Sequence, residues 1–234
     1  MIRAVCFDLD GTLANSLPEI AEGVRELARR NRLPEPPDEV VGRMIGGGVR
    51  VLIGRMSAWW REEGAQMPAG GEYAEERLLR ELVDLWLAMD GSRITVFPGV
   101  VEGIRALRAH GVSIWLVTNK EQPLAEAFIE SRGLSADFDG VIGQGGAFAP
   151  KPAPDMILEA VRRAGVASEE TAMVGDSRND ALAARAAGAR AFLVECGWNE
   201  GEPLGAWGRS QGFTEIFPGT AEVCASLVKE LEQC

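Results

Sequence analysis

Histidine and paired cysteines are scarce in this chain of 234 residues. His110 is the single histidine, so chemistry that depends on a histidine base has almost no material here. Its place at a predicted helix end favours a structural capping role. The four cysteines are scattered without a CxxC pair, which argues against a zinc cluster or a disulfide framework and favours reduced thiols. They are Cys6, Cys196, Cys224 and Cys234.

Positive charge and long apolar runs are also in short supply. The chain has 24 basic and 35 acidic residues, and its net charge of -11 repels nucleic acid and anionic membranes. No stretch approaches the ~20 apolar residues of a membrane span, and the N-terminus enters a predicted strand without a leader pattern. We therefore expect a cytoplasmic protein without nucleic-acid or membrane partners. With 46% apolar residues, the chain can build one large domain or two small ones.

Short apolar runs alternate with helical patterns over most of the chain. Apolar residues between these runs recur at spacings of three and four, as in amphipathic helices. Strands separated by helices imply right-handed crossovers and a parallel sheet covered on both faces. The predicted fold class is therefore α/β, with a doubly wound parallel sheet. The predicted strands are Ile2–Leu9, Val112–Val117, Gly140–Ile142, Thr171–Val174, Ala189–Val194 and Thr214–Phe217.

One long segment interrupts this alternation with helical patterns alone. It predicts two units: an α/β core of residues 1–14 and 90–234, and a helical cap of residues 15–89. Ser16 and Glu19 have the spacing of a capping box at the first cap helix. Three tryptophans supply bulk for a small core, although such a cluster can also line a ligand pocket. They are Trp59, Trp60 and Trp86.

The cap also contains two glycine-rich breaks, at Gly46–Gly48 and at Pro68–Gly71. The first precedes a helical run that begins at Val49, so its amides could present a helix N-terminus to an anionic group. Arg43 and Arg50 are near this break in the sequence. The alternative is a simple hinge between two cap helices.

Two carboxylates follow the first predicted strand. Asp8 and Asp10 are two positions apart, so their side chains point to the same face if the strand continues through them. Two acids that face one spot repel each other, so the pair either binds a metal or divides acid and base roles. Gly11 and Thr12 then break the strand. The alternative is that these residues only form a turn.

Three further polar clusters fall near the ends of predicted strands, where ligands collect in doubly wound sheets. They are Thr118–Lys120, Lys151 between two prolines, and Gly175–Asp180. Taken singly, each has a structural explanation as a helix cap or a solvated side chain. Together they provide carboxylates for a hard cation, donors for oxyanions and one ammonium group. That set suits a phosphate bound with magnesium.

These segments resemble the four ordered motifs of the haloacid dehalogenase superfamily. The resemblance spans the whole predicted sheet, and the helical insertion is similar to a cap of that family. The residues that carry the resemblance are Asp8-Leu9-Asp10-Gly11-Thr12, Thr118-Asn119, Lys151 and Gly175-Asp176-Ser177-Arg178-Asn179-Asp180. Three stretches are similar to the phosphoglycolate phosphatase branch of this superfamily. They are Thr118-Asn119-Lys120, Lys151-Pro152-Ala153-Pro154-Asp155 and Cys196-Gly197-Trp198-Asn199-Glu200-Gly201.

The resemblance implies a magnesium-dependent phosphatase that works through an aspartyl phosphate. Asp8 is then the nucleophile and Asp10 the general acid and base. Magnesium is held by Asp8, by the backbone carbonyl of Asp10 and by Asp176. Substrate oxygens bind Thr118, the amide of Asn119 and Lys151. Asp180 and Ser177 support this arrangement.

The implied partner is a small phosphorylated metabolite, with 2-phosphoglycolate as the first candidate, and the protein is a monomer or a homodimer. A phosphomutase uses the same two acids, and hydrolysis of pyrophosphate or of a nucleotide is also open. A dehalogenase needs neither Asp10 nor Asp176. A phosphorylated receiver domain lacks both the Asp10 partner and the helical insertion. The intact motifs argue against a binding module without catalytic activity.

Overall fold

The protein is built on a six-stranded parallel sheet, as the computed structural model of residues 1–68 and 72–233 shows. Its strands are β1 (Ala4–Phe7), β4 (Ser113–Glu121), β5 (Gly140–Gln144), β6 (Thr171–Gly175), β7 (Arg190–Val194) and β8 (Ile216–Phe217). Their order across the sheet is β5-β4-β1-β6-β7-β8. Because β1 lies between β4 and β6, the residues that follow these three strands meet at one edge.

Helices cover both faces of this sheet. Along β1, Val5 and Phe7 belong to one buried cluster and Cys6 to another, as alternation along a strand requires. The first cluster includes residues of α5 (Val100–Ala109), α6 (Gln122–Ser131) and α10 (Thr220–Glu232). The second includes residues of α7 (Asp155–Ala164) and α8 (Arg178–Ala187), and α9 (Leu204–Ser210) packs near β7. The predicted doubly wound α/β class is therefore confirmed.

Four described helices stand between β1 and α5 along the chain. They are α1 (Leu17–Asn31), α2 (Asp38–Gly42), α3 (Val49–Glu62) and α4 (Glu72–Ala88). They pack around a separate cluster in which Trp60 and Trp86 are buried and Trp59 is partly buried. Trp60 also donates a hydrogen bond of 2.8 Å from Nε1 to the carbonyl of Pro34. The tryptophans therefore pack as predicted, and Trp86 also lines the cavity of the candidate site. The boundary of the cap remains a prediction.

The sequence did not predict a small antiparallel ribbon that flanks these helices. Its two strands are β2 (Ala14–Asn15) and β3 (Thr95–Val96). Two-residue strands are too short to show an alternating pattern, so only their pairing reveals them.

Strand β4 is longer than its apolar run. The prediction ended it at Val117, but β4 continues to Glu121, which pairs with Gln144 after an irregularity in the register. Thr118–Lys120 therefore lie on the irregular part of a strand and not beyond its end.

None of the described helices is both long and apolar enough to cross a membrane. His110 caps the end of α5, and its Nδ1 atom lies 2.9 Å from the carbonyl of Ala106, in agreement with its predicted structural role. Cys6, Cys196 and Cys224 are free thiols. Cys234 and most of the predicted break at Pro68–Gly71 lie outside the described residues.

Candidate active site

Lys151 stands at the centre of the candidate site, buried and 3% exposed. Its Nζ atom lies 3.0 Å from Oδ1 of Asp8 and 2.5 Å from Oδ1 of Asp180. It also donates a hydrogen bond of 2.7 Å to the carbonyl of Val117. Burial opposes its charge, but the two carboxylates outweigh that penalty and raise the pKa of Lys151 above its ordinary value. The lysine is therefore held as a cation against Asp8.

The side chain of Asn119 fixes the loop that carries this lysine. Its Nδ2 atom donates to the carbonyl of Lys151 at 2.8 Å, and its Oδ1 atom accepts from the N–H of Lys151 at 2.9 Å. The sequence singled out Asn119 for its backbone amide. The clamp made by its side chain was not predicted, because the spacing of residues does not show which loop an amide will meet.

Three carboxylates form a compact acidic group beside Lys151. Oxygen atoms of Asp8, Asp176 and Asp180 all lie within 4.8 Å of one another. Burial, with further repulsion from the neighbouring carboxylates, raises the pKa of Asp8 to about 6, although Lys151 opposes the shift. Burial and the charges of Asp8 and Asp180 raise the pKa of Asp176 well above its ordinary value. A hard cation relieves such repulsion, so this donor set fits magnesium.

The surroundings of Asp176 hold its carboxylate in one place. Thr12 donates a hydroxyl hydrogen bond to Oδ1 at 3.3 Å, and the backbone N–H of Trp198 donates to Oδ2 at 2.9 Å. Two glycines allow the close approach: a Cβ atom would lie 2.3 Å from Oδ2 at Gly11 and 1.8 Å from it at Gly197. A side chain at either position would push Asp176 aside.

Asp180 divides its two oxygens between Lys151 and the start of α8. Oδ2 accepts hydrogen bonds from the Ser177 hydroxyl at 2.6 Å and from the Ser177 N–H at 3.1 Å. Oδ1 is the atom that contacts Lys151. A reciprocal capping arrangement between Ser177 and Asp180 thus also orients the lysine. Both residues are buried, so these charge-assisted bonds are shielded from water.

Asp10 faces a different set of partners. Its Oδ1 atom accepts a hydrogen bond of 2.6 Å from Ser16, and Nζ of Lys120 lies 3.1 Å and 3.3 Å from its two oxygens. Its side chain is not part of the three-carboxylate group, which leaves its backbone carbonyl as its possible metal ligand. The predicted capping box is wrong, since Ser16 precedes α1 without a side-chain capping bond and its hydroxyl bonds Asp10 instead of Glu19.

The contacts of Ser16 and Lys120 with Asp10 were not predicted from the sequence. Lys120 is adjacent to the Thr118-Asn119 motif, and strand alternation puts it on the same face as Thr118. That spacing indicates that Lys120 faces the site, but not which carboxylate it contacts. Ser16 offered no such signal, because its hydroxyl fits a helix cap equally well.

A small cavity of about 50 Å³ opens between the sheet edge and the helical segment. Asp8, Asp10, Thr118–Glu121 and the cap residues Gly46, Gly48 and Val49 line it together with apolar side chains. Within the described chain, Arg43 and Arg50 do not line this cavity. Arg50 instead pairs with Glu76 at 2.9 Å, on the surface of the cap. The structure thus gives no support for either arginine as an anion ligand here.

The fold and the site together define a doubly wound α/β protein with an acidic, cation-compatible centre under a helical insertion. The chain belongs to the haloacid dehalogenase-like hydrolase family, whose model matches residues 2–188. The family predicted from the motifs is therefore confirmed.

Several relatives are phosphatases. The chain is 39% identical over 214 residues to a phosphoglycolate phosphatase of Salmonella typhimurium, which covers 87% of this chain and 85% of that protein. It is 38% identical over 216 residues, with the same coverage, to the enzyme of that name from Escherichia coli K12. A crystal structure of a predicted phosphoglycolate phosphatase from Haemophilus somnus matches with a TM-score of 0.87 and 26% identity, covering 97% of this chain and 98% of that one. The phosphatase class and the branch expected from the sequence are confirmed.

Proposed function

We propose that this protein is a magnesium-dependent phosphatase that hydrolyses a small phosphate monoester, 2-phosphoglycolate, through an aspartyl phosphate on Asp8. The observation that carries the proposal is the position of Lys151, whose ammonium lies 3.0 Å from Asp8 inside a buried acidic group. A cation beside a carboxylate at the mouth of a cavity can draw in the phosphoryl oxygens and direct the carboxylate at phosphorus.

In the first step an oxygen of Asp8 attacks phosphorus and the bond from phosphorus to the bridging oxygen breaks. Asp10 gives its proton to the departing alkoxide. Thr118, the N–H of Asn119 and Lys151 bind the equatorial oxygens, where charge accumulates. Ser16 and Lys120 orient the Asp10 carboxyl towards the leaving group.

In the second step water attacks the phosphorus of the aspartyl phosphate. Asp10, which is now ionised, takes the proton from this water, and the bond between phosphorus and the Asp8 oxygen breaks. Inorganic phosphate leaves, Asp8 is restored as a carboxylate and Asp10 is protonated again. Every proton that Asp10 donates in the first step is thus regained in the second.

Asp8, the backbone carbonyl of Asp10 and Asp176 hold the magnesium ion in this proposal, and Asp180 with Ser177 supports them. When bound, the ion neutralises charge on the phosphoryl group and relieves the repulsion among the carboxylates. Thr12 and the N–H of Trp198 keep Asp176 in place for this purpose.

The substrate assignment comes from the relatives and from the size of the cavity. The similar enzymes from Salmonella typhimurium and Escherichia coli are named phosphoglycolate phosphatases. The cavity of about 50 Å³ beside Asp10 is compatible with a small leaving group.

A substrate panel tests this function. We expect 2-phosphoglycolate to have the highest kcat/KM among small monoesters, hexose phosphates, nucleotides and pyrophosphate, with activity lost when EDTA removes magnesium. If a sugar phosphate is isomerised faster than its phosphate is released, the protein is a mutase instead. Values of kcat/KM decide the ranking, because a site that holds mainly the phosphoryl group turns over many esters slowly.

A further inference from the structure

We propose that Lys120 binds a carboxylate on the leaving-group side of the substrate and thereby selects carboxylated phosphate esters over neutral ones. This inference rests on the proposed phosphatase function and adds a recognition group to its site. The ligand class is a small phosphate ester whose carboxylate lies one carbon beyond the bridging oxygen.

Lys120 is the one basic residue among the described residues that line the cavity. The acidic residues Asp8, Asp10 and Glu121 line the same cavity. A second negative group on the substrate meets repulsion from these acids unless a cation faces it. Lys151 cannot serve, because it lies against Asp8 and Asp180 and is already assigned to the phosphoryl oxygens. Lys120 is therefore the available counter-charge.

The position of Lys120 matches the leaving group. Its Nζ atom contacts both oxygens of Asp10 at 3.1 Å and 3.3 Å, and Asp10 is the residue that protonates the departing oxygen. In 2-phosphoglycolate one methylene separates that oxygen from the carboxylate. A group that touches Asp10 from the cavity side is thus within reach of the substrate carboxylate.

Lys120 retains capacity for a second partner. An ammonium group has three donors, and within the described chain the Nζ atom hydrogen-bonds the Asp10 carboxylate and lies 5.8 Å from the centroid of the Trp86 ring. The carboxylates of Glu19 and Glu121 act on its charge from further away. Its side chain is only 9% exposed, and Ile20 and Leu52 form apolar walls of the same cavity. Exclusion of water by such walls strengthens an ion pair with a bound carboxylate.

The other candidate for this role is already engaged. The N-terminus of α3, which follows Gly46–Gly48, could bind a carboxylate, but the Glu121 side chain interacts with the Val49 N–H there. Arg50 pairs with Glu76, and Arg43 lines a different cavity. The structure therefore favours Lys120 over the glycine-rich turn.

Binding of two non-hydrolysable ligands tests the inference. In 3-phosphonopropionate a methylene replaces the bridging oxygen, and propylphosphonate has the same length without the carboxylate. With magnesium present, calorimetry should show that the parent binds the carboxylated ligand roughly ten- to hundredfold more tightly. Lys120→Met should bring this ratio close to one, and Lys120→Arg should retain part of it. Because both ligands carry the same phosphonate, an effect of a variant on Asp10 or on phosphonate binding changes both affinities equally and cancels in their ratio.

Lys229→Met, on α10, is the matched control and should keep the parental ratio. If Lys120→Met does not fold, Lys120→Gln provides the same measurement. An unchanged ratio in the neutral variant, or a parent without preference for the carboxylated ligand, would overturn the inference. A different outcome would contradict the proposed function alone: 2-phosphoglycolate is not hydrolysed, although the ratio of the two affinities still depends on Lys120.

Discussion

The side chain of Asn119 makes two hydrogen bonds to the backbone of Lys151, to its carbonyl at 2.8 Å and from its N–H at 2.9 Å. Through this clamp the end of strand β4 sets the position of a lysine 32 residues further along the chain. Both residues are buried, so the loop before α7 cannot move without breaking these bonds. The ammonium that faces Asp8 is thus positioned by an amide on a neighbouring strand.

Replacing Asn119 by alanine should weaken catalysis more than it weakens the fold. We expect kcat/KM for a phosphate monoester to fall about 10- to 100-fold, because Lys151 loses its support against Asp8. Asn31→Ala, on the cap helix α1, is the control and should keep parental activity. The prediction fails if Asn119→Ala matches the parent in kcat/KM while its melting temperature falls.

Asp8→Asn should abolish turnover and stabilise the metal-free protein at neutral pH. Loss of the nucleophile should lower kcat by about 10⁴-fold or more. The neutral amide also removes one of the buried charges that raise the pKa of Asp176. A melt in EDTA at pH 7.5 should show a higher transition temperature than the parent. The exposed Asp84→Asn should change neither quantity. Appreciable magnesium-dependent turnover by Asp8→Asn would reject the covalent mechanism.

Stability of the metal-free protein should fall as the pH rises from about 4 to about 6. The pKa of Asp8 is raised from 3.8 to about 6, and that of Asp176 is also raised, so the folded state binds more protons than the unfolded chain. The extra stability that exists below the pKa of the unfolded chain is then lost as the pH rises through the pKa of the folded state. For a shift of about two units this loss is roughly 3 kcal/mol.

Chemical denaturation in EDTA between pH 5 and pH 7.5 measures the part of this loss that falls above pH 5. Magnesium should stabilise the protein more at pH 7.5 than at pH 5, since metal binding needs ionised carboxylates. Glu159, whose pKa is lowered to about 2 by its bonds to Arg162 and Arg163, acts in the opposite sense only at lower pH. A magnesium effect that is equal at both pH values would contradict this linkage.

The sequence was sufficient to predict the large sheet and the polar residues that follow its strands. Buried parallel strands are nearly continuous apolar runs, so the run before Asp8 and the run before Asp176 are visible without any structure. Their meeting follows from topology, because the carboxyl ends of parallel strands lie at one edge.

Contacts made by flexible side chains between distant segments were not predictable in this way. Lys120 and Asp10 are 110 positions apart, and no local pattern indicates that an ammonium will reach that carboxyl. Ser16 has the spacing of a capping box, but its hydroxyl bonds the partly buried carboxylate of Asp10 instead. The ribbon of β2 and β3 depends on pairing between segments that are individually too short to show a strand pattern.

Ser16→Ala should slow the reaction according to the leaving group. The Ser16 hydroxyl lies 2.6 Å from Asp10 Oδ1, so its loss frees the carboxyl that we propose as the proton donor to the departing oxygen. We expect kcat/KM, which reports formation of the aspartyl phosphate, to fall about tenfold for an alkyl phosphate and little for p-nitrophenyl phosphate, whose phenolate needs no proton. Asp10→Asn should show a larger difference between the two esters, and the exposed Ser210→Ala none. Equal losses on both esters would remove Ser16 from acid catalysis.

Gly197→Ala should damage the magnesium site through a steric contact. A Cβ atom at this position would lie 1.8 Å from Oδ2 of Asp176, so the carboxylate must move or the backbone N–H of Trp198 must give up its bond. We expect the magnesium concentration for half-maximal activity to rise at least about tenfold, as for loss of a group that orients a metal ligand. Gly54→Ala is the matched control: it lies within α3 with open space around its Cβ position, and alanine there should raise stability slightly. Magnesium dependence that is identical in both variants would show that Asp176 tolerates displacement, and its place among the metal ligands would then be wrong.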